Sequence, residues 1–270
     1  MKVYLMTDLE GVAGVMNSVD YCYVGSKYYD LAKELLTKEV NAAIEGFFAA
    51  GADEIVVQDG HGEGGINITL LDPRAKLQQG WDGPGGGFYP HGLDSSYDVM
   101  AWVGQHPKAG TEYGHLCHTG NFGVLDFIIN DISVGELGRA TFLGQPYGVV
   151  PIFVSGCLAC TKEAKDLVKG IETVAVKEGV KAGSGDECTT EQYKLRNSGA
   201  IHLHPEVSRD LIRQGAERAL KRYLADPKSF QPIKIAPPYS KKIVYRQAEG
   251  VPPVVVEQCG FSDLALLLNT

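Results

Sequence analysis

Short apolar segments that end in polar or glycine-rich turns alternate along this chain with longer segments of helical periodicity. Apolar runs of this length are typical of buried strands, so we expect strands at residues 2–6, 54–58, 97–103, 124–129 and 149–154, and late strands at 243–245 and 254–256. Helices are expected at residues 26–50, from near 133, at about 161–168 and at 205–224. Strands alternating with helices favour a three-layer α/β fold, in which helices cover both faces of a largely parallel sheet.

The charge balance of the chain excludes some classes of function. The 270 residues include 25 Lys or Arg and 33 Asp or Glu, which gives a formal net charge of −8. A nucleic-acid-binding surface needs a basic stripe, and this balance argues against one. No apolar run approaches the roughly 20 residues that span a bilayer, and Asp8 interrupts the first apolar stretch too early for a signal peptide. We therefore expect a cytoplasmic protein that binds neither nucleic acid nor membrane.

Six cysteines are scattered over the chain, and a disulfide framework is not expected in a reducing compartment. Cys157 and Cys160 have the spacing of a redox or zinc motif. A single pair of this kind is weak evidence for either chemistry. We interpret the two cysteines as small residues at the start of a helix.

The chain has no internal repeats and no long linker, and it is expected to form a single domain over residues 1–270. The region from about residue 183 is a candidate for a smaller C-terminal lobe. The proline-rich stretch at 227–238 is the best candidate boundary, although a surface crossing within one domain is the favoured interpretation. Residues 82–90 are rich in glycine and are expected to form a loop.

Side chains that can bind metal follow four of the predicted strands. They are Asp8 and Glu10 after the first, Asp59 and His61 after the second, His106 after the third, and Glu136 shortly after the fourth. Ligands bind open parallel sheets at the carboxyl ends of the strands, so these side chains are expected to meet at one edge.

The types and spacing of these residues indicate a cation. Asp8 and Glu10 are two positions apart, so in an extended segment both point to the same side, where two carboxylates repel unless a cation lies between them. A set of imidazoles and carboxylates suits zinc, and also manganese or cobalt. Five ligands exceed what one tetrahedral zinc uses, which favours two metal ions that share a bridging carboxylate.

Each residue also has an ordinary structural interpretation. Asp8 and Glu10 could form a solvated strand end, and Asp59 could bind the backbone amides of a turn. His106 could be a loop histidine, and Glu136 could be a solvated acid in the first turn of a helix. His115 and His118 are expected on a loop, where either one could act as a general acid/base or stabilise an oxyanion. Joint placement at one edge favours the metal site over these alternatives.

Four motifs carry a resemblance to a known family. They are Thr7-Asp8-Leu9-Glu10-Gly11, Asp59-Gly60-His61-Gly62, Gly104-Gln105-His106, and the segment from Asn130 to Gly138 that contains Glu136. With these motifs in order, the chain resembles the zinc-dependent D-aminopeptidases of the dipeptide-transport operon type, clearly so from Met1 to about Gly156.

The resemblance implies a site and an activity. It implies two Zn²⁺ per subunit held by Asp8, Glu10, His61, His106 and Glu136, with Asp8 as the bridging carboxylate. It also implies that His118, four residues before Phe122-Gly123-Val124, is the catalytic histidine, with His115 as the alternative. The implied activity is hydrolysis of short peptides with a D-residue at the amino end, by a ring-shaped homodecamer.

We therefore predict a metal-dependent aminopeptidase. Two alternatives remain, of which the first uses the same edge of the sheet. One is a metal-dependent amidase or phosphoesterase, although Lys108 is the only basic residue near the motifs and a phosphoesterase would be expected to have more. The other is a non-catalytic peptide-binding protein, which would leave the five convergent ligands unexplained.

Overall fold

The computed structural model describes residues 1–83, 87–248 and 250–270. The predicted glycine-rich loop at 82–90 includes residues 84–86, which lie outside the described residues.

Within these described residues, the strands form one large sheet and two smaller ones. In chain order they are β1 (Lys2–Thr7), β2 (Glu54–Asp59), β3 (Lys76–Gln78), β4 (Val99–Gln105), β5 (Val124–Ile129), β6 (Ile132–Ser133), β7 (Val150–Cys157), β8 (Val168–Lys169), β9 (Glu172–Gly179), β10 (Ala200–His202), β11 (Gln231–Pro232), β12 (Tyr239–Tyr245) and β13 (Val254–Phe261). The large sheet has the order β10-β9-β7-β4-β1-β2-β3. Its strands are parallel except for β10, which pairs antiparallel with β9.

The α-helices lie between and after these strands. They are α1 (Ser18–Tyr21), α2 (Tyr29–Ala49), α3 (Glu136–Gly144), α4 (Leu158–Leu167), α5 (Thr190–Arg196), α6 (Pro205–Ala225) and α7 (Leu264–Leu268). Short 3₁₀ helices occupy Gln145–Tyr147 and Pro227–Ser229. Within the described ranges, no helix combines the length and the apolar character that a bilayer crossing requires.

Both faces of the large sheet are covered, which explains why its central strands are apolar throughout. Alternate residues of β1 enter two different cores, Val3 and Leu5 on one side and Tyr4 and Met6 on the other. Helices α2 and α6 cover the first face, and α3, α4, α7 and a small sheet cover the second. The predicted three-layer α/β fold with a largely parallel sheet is confirmed.

The predicted place of the fourth strand is wrong. Strand β5 was expected in the parallel sheet, but it lies in a separate antiparallel sheet of order β13-β12-β5-β6. Asn130 and Asp131 adopt positive φ angles of 45° and 65° and turn the chain back at once, so β5 pairs with β6 as a hairpin. The parallel strand that lies beside β4, on the side away from β1, is instead β7.

The sequence analysis did not identify β9, β10 and α5. Strand β9 carries Lys177 among its apolar residues, and this lysine is buried with its Nζ donating to the Val15 carbonyl oxygen at 3.1 Å. A buried charge of this kind breaks the apolar pattern that identifies strands. By contrast, the expected helix start at Cys157 and Cys160 is confirmed, because Cys157 is the N-cap of α4, Cys160 lies in its first turn, and both are buried.

Backbone segments approach closely at the carboxyl ends of the central strands. Gly104, near the end of β4, has a φ of +79°, and a Cβ placed there would lie 2.0 Å from the Asp8 carbonyl oxygen. Gly11 is similarly close to β4, since its Cβ would lie 2.2 Å from the Gln105 carbonyl oxygen. The loop after β1 therefore rests directly on the backbone at the end of β4.

We predict that Gly104→Ala destabilises the protein by at least about 3 kcal/mol, because it combines left-handed strain with a clash against backbone that cannot move away cheaply. Gly51→Ala is the matched control: its φ is +101°, but no heavy atom lies within 4 Å of the added Cβ. The control is expected to cost about 1 kcal/mol, from strain alone. Urea denaturation in the presence of a chelator measures both, and equal losses would contradict this account.

Candidate metal centre

Three adjacent strands bring the first group of polar side chains together. Strand β1 lies between β4 and β2, and the register aligns Thr7 with Asp59 on one side and Val103 on the other. Asp8 and His106 directly follow β1 and β4, and His61 follows β2 after Gly60. These side chains therefore meet at the carboxyl edge of the sheet, as the sequence indicated.

Glu136 reaches the same place from a different element. It is the first residue of α3, which follows the β5–β6 hairpin. Its Oε1 lies 3.7 Å from His106 Nε2 and 3.9 Å from His118 Nε2, and it accepts a hydrogen bond from the Gly120 amide at 2.7 Å. Glu136 is thus turned into the centre and is not a freely solvated first-turn acid.

Asp8 is the middle of the arrangement, because its two carboxylate oxygens face two different histidines. Oδ1 lies 3.0 Å from His61 Nδ1, and Oδ2 lies 3.2 Å from His106 Nε2. Glu10 Oε2 lies 3.2 Å from the same His61 nitrogen. Asp8, Glu10 and His106 are all buried.

The other nitrogen of each imidazole is fixed by a backbone carbonyl oxygen. The three contacts are His61 Nε2 to Cys22 at 2.8 Å, His106 Nδ1 to Pro107 at 3.0 Å, and His118 Nδ1 to Leu116 at 2.9 Å. A carbonyl oxygen can only accept, so each of these nitrogens carries the proton. In the neutral ring, the lone pair of the opposite nitrogen then points into the centre.

Without a cation, this arrangement is electrostatically unfavourable. Neutral His61 and His106 aim lone pairs at carboxylate oxygens, which also carry lone pairs. Glu10 Oε2 and His106 Nε2 are buried and make no hydrogen bond with any of the described residues. Buried polar atoms of this kind are costly unless a proton or a metal ion satisfies them, and imidazoles with carboxylates are a donor set that zinc binds.

The pKa values follow from the same geometry. Burial would lower the pKa of His61 and of His106, but the facing carboxylates outweigh it and hold both values well above the usual range. Burial would raise the pKa of Asp8, but the facing rings of His106 and His61 outweigh it and hold that pKa well below its usual range. A bound cation would take the place of the protons on the two rings.

His118 differs from the other two histidines. Its ring stacks on His106 with centroids 4.0 Å apart, and burial followed by the charge of His106 lowers its pKa. His118 is therefore a neutral imidazole, and its Nε2 makes no hydrogen bond with any residue that the structure describes. By position it is also able to bind metal, because ligand atoms of His106, His118 and Glu136 all lie within 4.8 Å of one another.

A comparison with protein-family models shows which family this chain belongs to. The model of the D-aminopeptidase family matches residues 1–252 of this chain. The chain belongs to the D-aminopeptidase family. Among curated proteins it is similar to a D-aminopeptidase of Bacillus subtilis (strain 168), with 32% identity over 181 residues, which is 67% of this chain. The match spans about 65% of that relative's length.

A solved structure shares the fold of this D-aminopeptidase family member. It is the Zn-dependent D-aminopeptidase DppA from Bacillus subtilis, described as a self-compartmentalizing protease. The TM-score is 0.81 at 24% sequence identity, over 99% of this chain and 94% of that one. The match over nearly the whole of both chains shows that the two proteins share one fold.

Two residues that the sequence analysis considered lie outside the centre of this family member. Asp59 accepts hydrogen bonds from the Gly65 and Ile66 amides at 2.8 and 3.0 Å, so it holds the turn after β2. His115 is on a loop, as expected, but its Nε2 faces the carbonyl oxygens of Met16 and Ser198. Burial lowers the pKa of His115 to about 2, which keeps it neutral.

Several groups that shape the centre were not identified from the sequence. The backbone carbonyl oxygens that fix the histidines carry no signal in the residue types. Arg139 lies beside the centre with NH2 at 3.7 Å from Glu136 Oε1, and its position three residues after Glu136 on a predicted helix was an available signal. A cavity of about 570 Å³ lies elsewhere, lined by Lys108, Glu163 and neighbouring residues but by none of the predicted ligands.

Proposed function

We propose that this protein is a metal-dependent aminopeptidase that hydrolyses short peptides with a D-amino acid, such as D-Ala, at the amino end. The proposal rests on one observation above all: Asp8 presents one oxygen to His61 at 3.0 Å and the other to His106 at 3.2 Å. Membership of the D-aminopeptidase family supports both the reaction and the handedness of the substrate.

We propose two zinc ions per chain, with cobalt or manganese as substitutes. Asp8 would bridge them, with Glu10 and His61 completing one site and His106 and Glu136 completing the other. The division follows the contacts, because Glu10 Oε2 lies beside His61 and Glu136 Oε1 lies beside His106. Bound zinc would supply a water of lowered pKa and would polarise the scissile carbonyl.

The residues of the chain supply the remaining chemistry. His118 is neutral, its Nδ1–H is fixed on the Leu116 carbonyl, and its Nε2 opens toward the centre. We propose that Nε2 accepts a proton during attack and returns it to the leaving amine. The amide of Gly120 donates to Glu136 and thereby fixes the orientation of that carboxylate.

The alternative activities receive less support. Lys108, which the sequence analysis counted as the one basic residue near the motifs, donates to Ser133 Oγ at 2.6 Å. Arg139 lies beside the centre instead, which a phosphoesterase would also use, but family membership favours a peptidase. A non-catalytic peptide-binding protein would leave the buried cluster of imidazoles and carboxylates unexplained.

We also propose that residues 1–270 form one catalytic unit in the cytoplasm. Strand β12 from the last third pairs with β5, and β9 and β10 extend the large sheet, which argues against a separate C-terminal lobe. The six free thiols suit a reducing compartment.

As for assembly, we propose a homodecamer, by analogy with the self-compartmentalizing relative. A monomeric mass in light scattering at micromolar concentration would contradict it.

The function is tested with a matched pair of substrates. We expect kcat/KM for D-Ala-D-Ala to exceed that for L-Ala-L-Ala by at least about 10²-fold, because a site that orients one enantiomer for reaction misplaces the scissile bond of the other. Chelation should abolish activity, zinc should restore it, and elemental analysis should give two zinc ions per chain. Full activity in metal-free protein, or no cleavage of either peptide, would refute the proposal.

The role of His118 is tested against His115. His118→Ala should retain the metal and lower kcat on the order of 10²-fold or more, as expected for a lost proton carrier. His115→Ala is the control, since this buried ring faces Met16 and Ser198 rather than the centre. Loss of zinc together with activity in His118→Ala would make His118 a ligand, and a larger loss of kcat in His115→Ala would reverse the assignment.

A further inference from the structure

Arg139 carries a guanidinium group that makes no hydrogen bond with a carboxylate of the described residues. The side chain is only 11% exposed, and its Nε is buried without a hydrogen bond to any of the described residues. The carboxylate paired with it is Glu136, at 3.7 Å from NH2, which is beyond hydrogen-bond distance. A guanidinium has five N–H donors, so this one has capacity to spare beside the candidate metal centre.

The position of the guanidinium is fixed by aromatic rings. It lies 5.0 Å from the ring centroid of Phe127 and 5.6 Å from that of Tyr89. Tyr89 is in turn held by Asn269, which accepts from its amide at 3.1 Å and donates to its carbonyl oxygen at 2.8 Å. A guanidinium held between rings keeps its planar fork free for two parallel hydrogen bonds to a carboxylate.

The charges around Arg139 call for an anion. Lys241 lies close enough for the two cations to affect one another, and burial together with Arg139 lowers the pKa of Lys241. Glu136 would be the balancing charge, but the proposed function assigns Glu136 to a metal ion. With Glu136 engaged in this way, Arg139 is an uncompensated and largely buried cation, which is costly until a further anion arrives.

A short peptide brings such an anion in its terminal carboxylate. Arg139 NH2 is 3.7 Å from the Glu136 oxygen that faces the centre, and an extended chain advances about 3.3–3.6 Å per residue. A peptide whose scissile carbonyl lies at the centre therefore reaches Arg139 with a carboxylate one or two residues beyond the cleaved bond. A longer peptide would place its carboxylate past this position.

We infer that Arg139 binds the terminal carboxylate of the peptide substrate and thereby selects short peptides with a free carboxyl end. The inference rests on the proposed function, because it requires a peptide cleaved at the neighbouring centre. Arg139 acts here as a substrate-binding residue and carries no proton in the reaction.

The test uses substrates that differ only in the charge at the carboxyl end, D-Ala-D-Ala and D-Ala-D-Ala-amide. In the zinc-loaded enzyme, Arg139→Gln should lower kcat/KM for the acid by about 10- to 100-fold, mainly through KM, because a charge-assisted pair of hydrogen bonds is lost. The amide should change by no more than about 3-fold. Arg139→Lys keeps the positive charge but loses the planar pair of donors, so its kcat/KM for the acid should lie between those of the wild type and Arg139→Gln. Arg218 is an exposed arginine on α6, and Arg218→Gln is the control for a general loss of charge. This variant should leave kcat/KM for both substrates unchanged.

The outcomes of this experiment separate the possibilities. A selective loss on the acid with zinc content unchanged supports the inference. Equal losses on acid and amide overturn it, because Arg139 would then act through Glu136. If the variants do not fold, the wild-type enzyme still decides, since it must prefer the acid over the amide by a comparable factor, and no preference overturns the inference. A wild-type enzyme that cleaves neither substrate refutes the proposed function itself.

Discussion

The centre of this protein depends on positive charge, carried by protons or by metal ions, between imidazole nitrogens and carboxylate oxygens that the fold brings together. Asp8 and Glu10 present carboxylate oxygens at 3.0–3.2 Å from nitrogens of His61 and His106, and burial removes the water that would otherwise separate them. Such a cluster persists only if protons or metal ions occupy the space between its members. Packing in the rest of the molecule must offset the free-energy cost of holding these charged groups together.

The sheet offsets that cost through close packing. Two apolar cores lie on opposite faces of the strands, and glycines at the strand ends allow backbone segments to touch where side chains would not fit. Gly11 and Gly104 bring the loop after β1 against the end of β4, so Asp8 and His106 are held at a fixed separation. Rigid placement is what a metal site needs, because ligand geometry sets both affinity and the choice of ion.

The sequence predicted which side chains lie together better than it predicted the path of the chain. Asp8, His61 and His106 follow buried parallel strands, so strand periodicity and one rule about sheet edges were enough to bring them together. Glu136 was expected for a reason that proved wrong, because β5 turns back in a hairpin and belongs to another sheet. Arg139 and the carbonyl of Cys22 were missed, since long-range packing rather than local pattern decides what they face.

The way the three imidazoles are oriented bears on how such a protein can diverge. Each ring is fixed by a main-chain oxygen, of Cys22, Pro107 or Leu116, and not by a side chain. Every amino acid supplies that oxygen, so substitutions at these three positions remove no anchoring atom as long as the backbone path is kept. Ring orientation is thereby insulated from sequence drift, and distant homologues can differ at every one of these neighbours while they aim the same nitrogens at the same point.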